Sequence, residues 1–153
     1  MESEALSLAC EVARPFESLH LSAYWDPVGF PTIGYGRLLS REKWAPLERW
    51  ADVTEDEAEA MLQDDMAKAL RAVGRLCPGI AAVPERAAAI ADFTFNLGSG
   101  YLELSTLRRV INRGEHYRVP GELGRWVYAG GTRLAGLVRR RRAEADLYAV
   151  GRL

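Results

Sequence analysis

The segment that most constrains this chain is VTEDEAEAMLQDDMAKALRAVGRL, Val53 to Leu76. Thr54, followed three residues later by Glu57, makes a capping box that starts a helix. The acids that crowd the first turns suit the positive end of the helix dipole. Ala58, Met61, Leu62, Met66, Ala69, Leu70, Val73 and Leu76 keep the helical period, and Cys77-Pro78-Gly79 stops it. About 22 residues make a rod roughly 33 Å long, enough to link two lobes. With 153 residues, 48% apolar and 27% charged, the chain has the size and composition of one globular domain, 1–153, pinched in this way. The expected parts are an N-terminal lobe of about 1–53, a connecting helix of about 54–76 and a helical lobe of about 77–153.

The flanking text gives the rest of the architecture. Residues 3–13 carry a helical stripe at Leu6, Ala9, Cys10 and Ala13, and Pro15 ends or kinks it. Asp26-Pro27-Val28-Gly29 suits a type I turn, with Asp first, Pro second and Gly fourth. It lies between Ala23-Tyr24-Trp25 and Thr32-Ile33-Gly34-Tyr35, so a small antiparallel hairpin is expected there, the one convincing β signal in the chain. Further helices are expected over Pro84 to Leu97, Ser105 to Arg113, about Gly121 to Tyr128, and Leu134 to Tyr148, each closed by glycine. The fold class is therefore α+β and mainly α-helical.

Formal net charge is −1, which gives no bulk attraction to nucleic acid or membrane. Glu42 to Asp65 holds nine acids against two bases, and Thr106 to Leu153 eleven arginines against four acids. The two regions are either solvated surfaces that attract each other or, for the second, a cationic lobe suited to an anionic envelope. In the run Arg139-Arg140-Arg141-Arg142 a helix spreads the four side chains around its circumference, so some face solvent and some pair inward. No interleaved aromatics or helix-turn-helix pattern accompany it, and no nucleic-acid partner is expected. Cys10 and Cys77 lack metal-ligand spacing and read as small buried hydrophobes. No metal cluster or phosphate-binding loop is visible, and no cofactor is expected. The N-terminus, MESEALSLACEVARPFE, resembles neither a signal peptide nor a membrane span.

The chemistry lies in FESLHLSAYWDPVGFPTIGYGRLL, Phe16 to Leu39. Glu17 is expected at the end of the helix, or of a short helical turn after Pro15, that enters the hairpin, with Asp26 in the turn and Thr32 on the returning strand. Two carboxylates and a hydroxyl beside a cleft suit glycosidic bond hydrolysis, in which one acid protonates the leaving oxygen while the other stabilises positive charge or activates water. Each residue also has an ordinary explanation: Glu17 on the surface, Asp26 as a turn former, Thr32 as a strand residue.

Glu17, eight residues, Asp26, five residues, Thr32 is a spacing that resembles the phage-type lysozymes, the endolysins of T-even and lambdoid phages. The local text agrees: Phe16-Glu17, Ala23-Tyr24, Asp26-Pro27-Val28-Gly29 and Thr32-Ile33-Gly34-Tyr35-Gly36. So do Thr54-Glu55-Asp56-Glu57-Ala58-Glu59, Phe95-Asn96-Leu97-Gly98, Ser105-Thr106-Leu107, Arg125-Trp126, Ala129-Gly130-Gly131 and Gly136-Leu137-Val138-Arg139-Arg140-Arg141. The resemblance extends from about residue 5 to 149.

It implies a lysozyme-like two-lobed fold with a small N-terminal sheet and a long inter-lobe helix. It also implies cleavage of the β-1,4 bond between N-acetylmuramic acid and N-acetylglucosamine in peptidoglycan. Glu17 would be the general acid, with Asp26 and Thr32 handling the attacking water. Water between sugar and Asp26 needs a carboxyl separation of roughly 6.5–9.5 Å and gives inversion. Gly36, Leu38 and Phe95 match substrate-lining positions, although for Leu38 and Phe95 packing in a core is the stronger reading. The alternatives are a lytic transglycosylase, which needs only the acid, and a silent wall-binding module. The family implies a monomer acting on glycan strands, held in the host cytoplasm until a holin or other pore releases it to the periplasm and wall. It often has histidine after Gly-Tyr-Gly, where this chain has Arg37, a residue that either pairs with Asp65 or faces solvent. Trp25 is a candidate for exposure and for stacking on a sugar.

Overall fold

The structure, a computed structural model, describes residues 2–151. The chain packs into two units: Glu17–Asp65, and the residues up to Phe16 together with those from Met66 onward.

The Glu17–Asp65 unit holds a three-stranded antiparallel sheet in the order β1 (His20–Trp25), β2 (Pro31–Gly34), β3 (Arg37–Leu38). The expected turn joins the first two strands: the Gly29 amide donates to the Asp26 carbonyl at 2.9 Å, and Gly29 takes a φ of 105° that its missing Cβ permits. The third strand is an addition to the expected hairpin. Gly34 and Gly36, at φ 68° and 90°, flank Tyr35 and reverse the chain there, so Arg37 and Leu38 pair back onto β2. The capping box opens α2 (Glu55–Leu76): Glu57 N donates to Thr54 Oγ1 at 3.1 Å and Thr54 N to Glu57 Oε1 at 3.0 Å. Ile33 from the sheet and Ala58 and Leu62 from α2 are buried in this small unit.

Arg37 holds Asp65 with both prongs of its guanidinium. Nε donates to Oδ2 at 3.1 Å and Nη2 to Oδ1 at 2.9 Å. A longer bond runs from Nη2 to the Met61 carbonyl at 3.4 Å. The hydrogen bond to Asp65 pushes the Arg37 pKa up, so this β3–α2 tie does not titrate where a histidine would.

The other unit is helical: α1 (Glu2–Ala13), the second half of α2, α3 (Pro84–Leu97), α4 (Ser99–Leu104), α5 (Thr106–Asn112), α6 (Val119–Leu123) and α7 (Ala135–Val150). Helix α3 lies at its centre, packed on both α1 and α7. Ala87 to Thr94 are all buried, as suits a helix apolar on every side. The helix expected near 121–128 forms earlier, because Pro120 occupies its first turn and Gly124 its end. Residues 128–133 instead make a second hairpin, β4 (Tyr128–Ala129) with β5 (Thr132–Arg133). Gly130 and Gly131, at φ 57° and 79°, supply the two left-handed residues that such a tight turn requires. Cys10 and Cys77 are buried and form no disulfide, and burial pushes the Cys77 thiol up to about 11, out of the reactive range. Among the described residues no helix is long and apolar enough to cross a membrane.

The arginine run divides by helix geometry: Arg139 and Arg142 are exposed, Arg140 and Arg141 buried. Arg140 meets Asp92 of α3 through Nε to Oδ2 at 2.9 Å and Nη2 to Oδ1 at 2.8 Å. Arg141 Nη2 reaches Asn96 Oδ1 and Glu144 Oε2, each at 2.8 Å. Burial pushes the Glu144 carboxyl well above its ordinary value, and its hydrogen bond with Asp92 and that residue's charge add to the effect. Burial acts on Asp92 in the same sense. There the hydrogen bonds from Glu144 and Arg140 and the charges of both arginines more than reverse it, and Asp92 is held low. Glu144 is therefore the more readily protonated of the two carboxyls.

Two predictions follow from these ties. Arg37→Ala should lower stability by about 1 kcal/mol, as for a partly exposed forked pair. The loss should be equal at about pH 6 and about pH 8 in urea melts, because the Arg37 guanidinium stays charged across that range; a loss confined to the acid side would contradict it. Glu144→Ala should cost about 3–5 kcal/mol by stranding buried partners, and Glu144→Gln much less. In the wild type the folded state holds the Glu144 proton longer than the unfolded chain. Its contribution to stability is therefore full below the ordinary glutamate value of about 4.3 and falls as pH rises through the raised one. Glu144→Gln should flatten that slope.

Candidate functional site

Glu17, Asp26, Thr32, Gly36 and Leu38 all belong to the Glu17–Asp65 unit. Pro15 governs the approach to Glu17. Helix α1 ends at Ala13 and a 3-10 turn covers Arg14–Phe16, because proline removes a ladder amide and crowds the preceding turn. Glu17 follows directly. Its carboxylate lies against Gly36, where a Cβ would come 3.0 Å from Glu17 Oε2. Together with the φ of 90°, this leaves glycine as the residue that fits behind the acid.

Asp26 is held by its own turn. Oδ1 accepts the amides of Val28, Gly29 and Phe30, each at 2.9 Å, and the Asp26 amide donates to the Phe30 carbonyl at 2.9 Å. All the local hydrogen bonding falls on one carboxylate oxygen. Oδ2 makes no hydrogen bond to the described residues, and its direction is fixed by the grip on its twin.

Thr32 is 6% exposed, and its hydroxyl donates to the Phe30 carbonyl at 2.9 Å. With its one proton committed, the oxygen is left as an acceptor on the other side. The strand register pairs Tyr24 with Thr32 and Thr32 with Leu38, so these three form one row across a single face of the sheet. Leu38 stands 43% exposed at the end of that row. Tyr24 is the residue of the row to which sequence reasoning gave no role. Burial, then the charge of Glu17, then that of Asp26 push its phenol up, so it remains an O–H donor lying in the field of both carboxylates. The signal was there to read, since a tyrosine two residues before a turn aspartate shares its side of the strand.

Phe95 belongs to the other unit, on α3, half-buried, with the Arg140 guanidinium 6.0 Å over its ring. Phe16 takes the same guanidinium at 5.6 Å. Trp25 is exposed, as expected. Trp126 is half-buried and meets Phe93 edge-on at 5.4 Å between ring centroids. His116 bonds the Tyr148 hydroxyl at 2.7 Å.

The Phage lysozyme family model matches residues 14–144. This chain belongs to the phage lysozyme family. It is 34% identical over 133 residues to the SAR-endolysin of Bacteriophage PS119, covering 86% of this chain and 75% of that one. It is 30% identical over 140 residues to the endolysin of Bacillus phage B103, covering 90% of this chain and about half, 51%, of that longer one. Among solved structures, the endolysin from Escherichia coli O157:H7 phage FAHEc1 superposes with a TM-score of 0.76 at 30% identity, covering 92% of this chain and 90% of that one. The muramidase domain of SpmX from Asticaccaulis excentricus gives 0.75 at 28% identity, covering 92% and 93%. As a phage lysozyme the chain is a glycoside hydrolase of the muramidase kind, a phage enzyme that degrades peptidoglycan.

The grip on Asp26 separates its part in folding from any part in chemistry. Asp26→Asn keeps a carbonyl oxygen for the three amides and should change stability by less than about 1 kcal/mol. Asp26→Ala releases all three and should cost about 1–2 kcal/mol. Thermal melts of the pair check this, and equal losses would contradict it.

Proposed function

We propose that this lysozyme hydrolyses the β-1,4 bond between N-acetylmuramic acid and N-acetylglucosamine, with inversion at the anomeric carbon. Glu17 gives its proton to the leaving oxygen. Asp26 Oδ2 accepts a proton from the attacking water and faces the developing positive charge, and the Thr32 oxygen accepts the water's second proton as a hydrogen bond. The observation that carries this reading is the one-sided grip on Asp26: three amides hold Oδ1, and Oδ2 is the oxygen left for water. Tyr24 supports it as a neutral donor under the influence of both carboxylates.

On this reading Gly36 backs the acid, while Leu38 offers apolar surface to the sugar rings. The chain works as one lysozyme domain. It acts as a monomer on glycan strands in host lysis, reaching them from the cytoplasm through a holin or similar pore. Arg109, Arg113, Arg125, Arg133, Arg139 and Arg142 are exposed and give the C-terminal region a cationic surface for an anionic envelope.

Reducing-sugar release from purified peptidoglycan tests the assignment of the acid. Glu17→Gln should lower the rate by roughly 10²–10⁴ while melting like the wild type. Equal rates for the two proteins would leave a wall-binding module as the reading.

A further inference from the structure

Among the described residues, Trp44 alone combines a side chain with a left-handed backbone, at φ 61°. A bulky residue is strained there, yet this one is 59% exposed, so no core packing accounts for it. Its amide donates to the Gly29 carbonyl at 2.7 Å. Its ring sits against Gly29, where a Cβ would fall 2.6 Å from the ring carbon Cε2. The second exposed indole of this unit, Trp25, is 42% exposed. It meets Trp44 edge-to-face with centroids 5.6 Å apart, and its own N–H is anchored on the Ala45 carbonyl at 2.9 Å. Two large aromatic rings are thus fixed at the surface by backbone bonds, a strained residue and a glycine.

This platform is not part of the row that carries Thr32. Trp25 pairs with Pro31, while Tyr24 pairs with Thr32. Successive strand residues point to opposite faces, so Trp25 rises from the other side of the sheet. It is nevertheless built on the same turn, since Gly29, which seats Trp44, is one of the three residues whose amides hold Asp26 Oδ1.

We propose that Trp25 and Trp44 form a second carbohydrate-binding site, on the face of the sheet opposite Thr32, that stacks on an N-acetylhexosamine ring of a glycan strand. The occupant follows from two features. A rigid, exposed indole pair suits the C–H face of a pyranose, which is flat, apolar and fringed by hydroxyls. The site is also continuous with the turn that carries Asp26, on a chain whose substrate is a polymer of such rings. The proposal rests on the glycan-cleaving function above, and it adds a hold on the insoluble wall outside the reacting sugars.

The test uses Trp44→Gly, which removes the indole and relieves the strain, with Trp44→Asn as a second variant that tolerates the left-handed backbone. In the Glu17→Gln background, sedimentation with purified sacculi should show binding roughly three- to tenfold weaker for either variant. With Glu17 intact, the ratio of kcat/KM on sacculi to kcat/KM on a soluble hexasaccharide of the same repeat should fall by the same factor, through KM on sacculi. The melting temperature of Trp44→Gly should be at or above that of the wild type. Undiminished sedimentation would overturn the site. An equal loss on both substrates would also overturn it, by showing that Trp44 acts through the Thr32 face. The binding arm needs no turnover, so a wild type that fails to cleave would refute the hydrolase reading while the platform is still judged by sedimentation.

Discussion

One carboxylate oxygen organises the part of this lysozyme that carries its candidate chemistry. Asp26 Oδ1 accepts three consecutive backbone amides at 2.9 Å. That grip shapes the turn between β1 and β2, and with it the register that puts Tyr24, Thr32 and Leu38 in one row. It also aims the other oxygen. An aspartate with neither oxygen held would have to be oriented by substrate. Here the backbone has already done so, and an oriented acceptor for water needs little reorganisation as charge develops.

Glycine plays the matching part wherever a functional group comes close to the backbone. Gly36 leaves room for the Glu17 carboxylate and Gly29 for the Trp44 ring, and both hold φ values that other residues avoid. The small sheet is therefore built around what it presents. The other unit is stabilised differently, by helices packed on α3, which is buried from Ala87 to Thr94, and by a hydrogen-bonded network of Asp92, Arg140, Arg141 and Glu144 inside it. Half of the arginine run is spent there. The cationic surface of the C-terminal region is weaker than its sequence count implies.

Much of this was legible in the sequence, because the signals were local. The capping box at Thr54 and Glu57, the Asp-Pro-X-Gly turn and the glycine stops depend on neighbours within a few residues. The pattern Glu17, Asp26, Thr32 pointed to the family that the comparisons then showed. What escaped needed pairing at a distance. The third strand depends on two left-handed glycines around Tyr35, and the hairpin at residues 128–133 on another such pair. The meeting of Trp25 with Trp44 depends on a loop folding back on Gly29. Arg37 is an intermediate case: its pairing with Asp65 was readable as chemistry, its forked geometry only from coordinates.

The central claim is that water, oriented by Asp26 and Thr32, attacks the sugar while Glu17 protonates the leaving oxygen. The measurement closest to it is NMR of the reducing N-acetylmuramic acid ends released in the first turnovers on purified glycan strands, before mutarotation. The account predicts the α anomer. A β anomer would mean a glycosyl-enzyme and double displacement, and an anhydro end would mean that no water attacks; either result would contradict it.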